Sequence, residues 1–113
     1  VDPRVCGLGA VPAVRAMAAR DPGFDPGRVD AVAFTEAFAA QVLATVDDLG
    51  LDEGRVNPLG GAIALGHPWG ASGAAQVVRA FHDVRGRDGA TALTAAAVAG
   101  GMGVAARWRW GAP

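Results

Sequence analysis

The chain has 113 residues and is 51% hydrophobic, a length that suits one domain and an apolar content sufficient for a real core. Its formal net charge is −1 and its basic residues, all Arg, are scattered, which argues against a nucleic-acid or anionic-membrane partner. The single cysteine, Cys6, excludes an internal disulfide framework and a CxxC metal site, and no apolar run reaches the ~18 residues of a membrane span.

The opening VDPRVCGLGA reads as a turn, and Pro12 suits the first position of a helix that runs to about Ala19 with Val14, Met17 and Ala18 on its apolar face. Two Asp-Pro-Gly triplets in DPGFDPGRVD mark a loop. AVAF (31–34) is a short apolar run between turn signals and predicts a buried strand. A second helix is expected over Glu36 to Leu49, with Phe38, Val42, Leu43 and Val46 at helical spacing and Gly50 as its C-cap. Residues 56–73 are rich in glycine yet mostly apolar, so this loop is expected to pack inside the protein. Ala71 to about Arg85 then predicts a helix with small apolar first turns, the pattern of a helix covered on several sides. ATALTAAAV and GVAARWRW, joined by AGGMG, predict two final strands. The order helix, strand, helix, helix, strand, strand points to a layered α/β domain. No basic n-region precedes an apolar core, so no signal peptide is expected, and the cysteine usage fits a reducing cytoplasm. The first residue is Val1, and the chain is expected to be the C-terminal piece of something longer or one half of a two-chain protein.

His67, in GHPWGASG (66–73), carries the strongest chemical signal. Imidazole both takes and gives a proton near neutrality. Gly66 and Gly70 let a ligand approach the backbone closely, Pro68 stiffens the turn, and the helix start at Ala71 and Ser72 favours negative charge nearby. A buried histidine bonded to a carbonyl is the competing reading, and the flanking glycines argue against it. Cys6 reads as a small core or surface residue, and Glu36 as a hydrogen-bond partner rather than a base. Asn57 reads as a brace for the glycine loop, and His82 as solvated. Trp69 either narrows a pocket or fills the core. Trp108 and Trp110 alternate with Arg107 and Arg109, the period of a strand with one covered and one wet face. No metal site is expected.

NPLGGAIALGHPWGASG (57–73) resembles the signature of the thiolase family, in which an Asn precedes GGAIA and the loop ends in GHPxGASG. TEAFAAQ (35–41) is similar to the family's NEAFAAQ, AVAGGMG (97–103) to its CxGGGxG, and GLGAVPAVR to its GxGPVPA lead-in. The resemblance implies a thiolase-like layered α-β-α domain over residues 1–113, with a mixed sheet and one interior helix, forming the C-terminal half of the thiolase fold. An N-terminal half, in the same or a separate chain, would supply the nucleophilic cysteine. The implied activity is acyl transfer between coenzyme A and a cysteine thioester, by thiolysis or Claisen condensation. Acyl-CoA is the implied partner, with coenzyme A as substrate or product and no permanently bound cofactor. The resemblance also implies a homo-oligomer (dimer or tetramer) and a cytoplasmic setting.

Carried over by position, the resemblance makes His67 the base and oxyanion donor. Thr35 stands where the family has the Asn that holds a water in the oxyanion hole. Ala37 and Phe38 line the pantetheine channel, and Gly66 and Trp69 flank the substrate. Asn57, Gly60, Gly61, Gly70, Gly100 and Gly101 shape the loops. The family's acid/base cysteine falls on Ala97, which transfers no proton, while Ala99 keeps the backbone N–H of a second oxyanion hole. Ala74 replaces an Arg common after GASG, a change expected to affect packing only. The alternative is a non-catalytic thiolase-fold subunit that binds acyl-CoA or a partner enzyme. A third reading is a carbon–carbon lyase acting on CoA esters.

Overall fold

A computed structural model of the chain describes residues 1–111, so residues 112 and 113 of the expected domain lie outside the described residues. Asp2 caps a 3-10 stretch, Pro3–Gly9, by accepting from the Arg4 N–H at 2.8 Å. The stretch runs directly into helix α1 (Ala10–Arg20). The helix therefore starts before Pro12, which the first turn tolerates because its N–H groups have no intrahelical partner. The two Asp-Pro-Gly loops are turns of the expected kind. Asp21 and Asp25 accept from the N–H groups of Gly23 and Gly27 at 3.2 and 2.9 Å.

Strand β1 (Ala31–Phe34) is buried throughout, as its uninterrupted apolar sequence predicts. Helix α2 (Ala39–Leu49) begins later than expected. Phe38 is still extended at φ −148°, and Glu36 is drawn instead to the loop described below. Gly50 ends the helix in the left-handed region, as predicted. After the short helix α3 (Ala62–Leu65) and a 3-10 turn, Trp69–Ala71, come helix α4 (Ser72–Val84) and strands β2 (Thr91–Val98) and β3 (Met102–Arg109). The sheet has the order β1-β2-β3, parallel between β1 and β2 and antiparallel between β2 and β3.

The sheet carries helices on both faces. On one side Val32, Phe34, Leu93 and Ala95 meet Val14 of α1 and Val42 and Val46 of α2. On the other, Ala31, Ala33 and Ala92 meet Ala80 and Val84 of α4. Alternation along the strands sorts large side chains to the first face and alanines to the second, so α4 lies close to the sheet. Its buried residues, Ser72, Gln76, Ala80 and Val84, recur every fourth position and form one stripe. Among the described residues no helix is long and apolar enough to cross a membrane.

Two expectations about burial require correction. The 56–73 loop is not packed inside this chain: Leu59 is 81% exposed, and Ile63, Leu65 and Trp69 are exposed as well. Helix α4 is covered on its sheet face alone, with Val78 and Phe81 exposed on the other side. The reason is shared. One sheet covers one face of a helix, and no described element lies beyond α4 to cover the rest. Trp69, at 87% exposure, fills no core.

The final strand follows the expected period in part. The Trp108 indole N–H donates to the Thr94 hydroxyl at 2.9 Å, and Trp110 meets the edge of Phe81. Arg107, on the opposite face, is not simply wet: it pairs with Asp21 and lies over the Phe24 ring at 5.3 Å.

Candidate functional site

Asn57 fastens the loop to the sheet. Its backbone N–H donates to the Val32 carbonyl at 2.8 Å. Its side-chain oxygen accepts from the Phe34 N–H at 3.1 Å, while Nδ2 donates to the Phe34 carbonyl at 3.1 Å. The amide thus pairs with the free edge of β1 as a neighbouring strand would. Asn57 adopts φ +46°, a left-handed conformation that Asn tolerates better than most residues.

Glu36 extends this brace. Its Oε1 accepts from Asn57 Nδ2 at 2.6 Å, and its Oε2 accepts from the Ile63 N–H at 2.9 Å, in the first turn of α3. Both carboxylate oxygens are therefore engaged by the loop, as the reading of Glu36 as a partner rather than a base expects. A Cβ at residue 61 would overlap that carboxylate, so a larger residue there would displace Glu36 from Asn57 and Ile63. Gly60 follows the Asn57 turn, its N–H donating to the Asn57 carbonyl at 2.8 Å.

The chain turns at Gly66 and presents His67 on the surface. Nδ1 of His67 lies 2.6 Å from the hydroxyl of Ser72, the first residue of α4. Its Nε2 has no partner among the described residues. The buried-histidine alternative does not hold: the ring is exposed and its partner is a hydroxyl, not a carbonyl. Trp69 stacks near it, with ring centroids 6.0 Å apart and planes at 27°, and holds φ +48°. A left-handed non-glycine residue costs roughly 1–2 kcal/mol, so this turn is held against a local preference.

Thr35 directly follows β1 and is 8% exposed. Its N–H donates to the Ala95 carbonyl at 3.2 Å, and its hydroxyl accepts from Gln76 Nε2, which also reaches the Ala95 carbonyl at 3.3 Å. Two concavities meet at this residue. A small one is lined by Gly66, Pro68, Ser72 and Gln76. A larger one, about 240 Å³, is lined by Cys6, Thr35, Ala37, Phe38, Ala97 and Ala99. Expected positions from two motifs, Thr35, Ala37 and Phe38 from one and Ala97 and Ala99 from the other, thus share the larger cavity, whereas His67 lines neither concavity.

Other expected positions stand apart. Trp69 lines neither concavity. Gly70 is exposed, and Gly100 and Gly101 form the β2–β3 turn at φ +88° and +89°. Ala74 is exposed, as is His82, which edges a groove with Asn57, Leu59 and Asp83. Burial raises the Asp83 carboxyl above its ordinary range, although Arg87 and His82 oppose the shift. Among the described residues no group of three or more His, Cys, Asp or Glu is arranged to hold a metal.

Three contributors carried no local sequence signal. Ser72 reached His67 only through the turn between them, Gln76 met Thr35 through tertiary packing, and Cys6 came from the far end of the chain.

Residues 1–109 match the family model described as "Thiolase, C-terminal domain". The chain is 45% identical over 105 residues to an acetyl-CoA acetyltransferase of Cupriavidus necator, covering 93% of this chain and 26% of that relative. Its fold is similar to human mitochondrial 3-ketoacyl-CoA thiolase in complex with CoA, with a TM-score of 0.90 and 40% identity over 98% of this chain and 28% of the other. It is also similar to the dimeric peroxisomal thiolase of Saccharomyces cerevisiae, with a TM-score of 0.86 and 36% identity over 93% of this chain and 26% of the other. The chain therefore spans about a quarter of the length of the curated relatives it matches. With a match over nearly its whole length and a shared layered fold, the chain belongs to the thiolase family.

Proposed function

We propose that residues 1–113 form the C-terminal domain of an acyl-CoA acyltransferase, in which His67 activates a cysteine supplied by an N-terminal half. The observation that carries this reading is the Ser72–His67 contact, which engages Nδ1, while Nε2 has no partner among the described residues. The names of the relatives support the substrate class, acyl groups carried on coenzyme A.

The chemistry follows from the two nitrogens of the ring. With Nδ1–H donating to the Ser72 oxygen, Nε2 takes the proton of the attacking thiol. The imidazolium so formed keeps Nδ1–H on the Ser72 oxygen and donates its Nε2–H to the thioester oxygen as that gains charge. The cysteine sulfur bonds to the thioester carbon, the C–S bond to coenzyme A breaks, and the departing thiolate takes up the Nε2 proton, which returns the ring to its starting state. Thr35 holds a water beside that oxygen, and the Ala99 N–H serves a second oxyanion. Ala37 and Phe38 flank the pantetheine arm, and Gly66 leaves room for it. Coenzyme A is substrate and product, with no permanently bound cofactor. We further propose a homo-oligomer, as the dimeric yeast thiolase supports, and a cytoplasmic setting, which the single-cysteine composition supports.

A second reading, a non-catalytic subunit that binds acyl-CoA or a partner enzyme, is favoured by one observation: Ala97 puts a methyl group on the cavity wall. The two are separated by intact-mass analysis of the complete protein after incubation with acetyl-CoA and longer acyl-CoAs. An acyl adduct on a cysteine is expected. A folded protein that binds coenzyme A and never gains the acyl mass is a binding subunit.

A further inference from the structure

The cavity of about 240 Å³ beside Thr35 contains a thiol. Cys6 is half-buried and lines it together with Ala97, Ala99 and Phe38. It is brought there because the 3-10 stretch Pro3–Gly9 packs against β2 and β3. The approach is tight: a Cβ on Gly9 would overlap the Met102 carbonyl, and one on Gly103 would overlap the Gly9 carbonyl.

A second feature marks the cavity as a place for a ligand. Gln41 lines it too, and its Oε1 is sealed from solvent with no hydrogen-bond donor among the described residues. A buried acceptor without a donor is unfavourable, and an occupant that brings a donor would relieve it. The wall is otherwise short of proton-transferring groups. Thiols ionise within reach of neutral pH, whereas aliphatic hydroxyls and amides do not. That removes Thr35 and Gln41. Ala97 and Ala99 offer nothing, and Glu36 is engaged on the loop side by Asn57 and Ile63.

We propose that Cys6 is the acid/base at the substrate α-carbon, the task for which Ala97 has no group. The proposal rests on the acyl-transfer reading above. In the condensing direction the Cys6 thiolate takes an α-proton from a CoA-bound acyl group. The S–H bond forms as the C–H bond breaks, and the electron pair passes into the thioester as an enolate. The enolate carbon bonds to the acyl carbon held on the nucleophilic cysteine, whose C–S bond breaks. That sulfur leaves as a thiolate and takes the proton from Cys6, which restores both groups. Thiolysis runs the same steps in reverse.

The test follows the exchange of acetyl-CoA α-protons in heavy water beside acyl-adduct formation, both on the complete protein. In Cys6→Ala the ratio of exchange to acylation is expected to fall by about 10²–10⁴, the contribution of a positioned acid/base group. Adding Ala97→Cys to that variant is expected to restore much of it. Exchange at an unchanged ratio in Cys6→Ala overturns the role of Cys6 and leaves acyl transfer standing. No acyl adduct in the unsubstituted protein overturns the acyl-transfer reading, and this proposal with it. A measurement on the unsubstituted protein stands in should the variant not fold: acetyl-CoA is expected to slow alkylation of Cys6 by iodoacetamide, and an unchanged rate contradicts the proposal.

Discussion

Ser72 Oγ stands 2.6 Å from Nδ1 of His67, joining the first residue of a packed helix to an exposed ring on a glycine-rich turn. The helix is anchored by its buried stripe, so the hydroxyl gives the imidazole a fixed reference that the loop alone does not. Removing it in Ser72→Ala loses a hydrogen bond of about 1 kcal/mol, which corresponds to a fall of roughly 5- to 10-fold in the acylation rate. Thermal unfolding, which reads stability, is expected to shift far less than the rate. A Ser72→Ala protein that acylates at the unsubstituted rate would show that the contact does not orient the ring.

Asn57 makes a different kind of contribution, to stability. Asn57→Ala removes the partners of both the N–H and the carbonyl of Phe34, with about 1–3 kcal/mol at stake for each buried group left unpaired. Asn57→Asp keeps the acceptor but sets a carboxylate beside Glu36, so it is expected to be at least as harmful at neutral pH. Urea unfolding of the complete protein measures both. Equal stability of all three proteins would mean that the brace is replaced by water.

Gly61 is read as glycine because the Glu36 carboxylate occupies the place of a side chain. Gly61→Ala is therefore expected to destabilise by about 1–3 kcal/mol, the range for overpacking. In a Glu36→Ala background the same change should be much milder, because the obstructing group is gone. Additive effects in the double variant would contradict this cause.

Gln76 links α4 to the end of β1 through Thr35 and the Ala95 carbonyl. Gln76→Leu fills similar space without the amide and leaves the Ala95 carbonyl with one donor fewer. A loss of about 1–3 kcal/mol is expected in urea unfolding, with a further loss of acylation rate if the Thr35 hydroxyl turns. Unchanged stability would place Gln76 outside the support of Thr35.

Much of this architecture is legible in the sequence because its signals are local. AVAF and ATALTAAAV are apolar runs bounded by turns, and Gly50 ends α2 where a left-handed residue is needed. The brace role of Asn57 is also legible, since a polar residue ahead of a glycine loop has few other tasks. The burial of the 56–73 loop is not. Small apolar residues signal cover, but they do not say whether the covering element belongs to this chain, and here Leu59 and Trp69 stand open. The place of Cys6 beside Thr35 and Ala97 is equally hidden, because only the packing of the 3-10 stretch against the hairpin brings it to their cavity.

The most direct test of the central claim is the rate at which the complete protein gains an acyl adduct from acetyl-CoA, compared between the unsubstituted protein and His67→Ala. A fall of about 10²–10⁴ is predicted, with folding and coenzyme A binding retained. Acylation of His67→Ala at the unsubstituted rate would contradict the account, because the nucleophile would then be activated by a group other than His67.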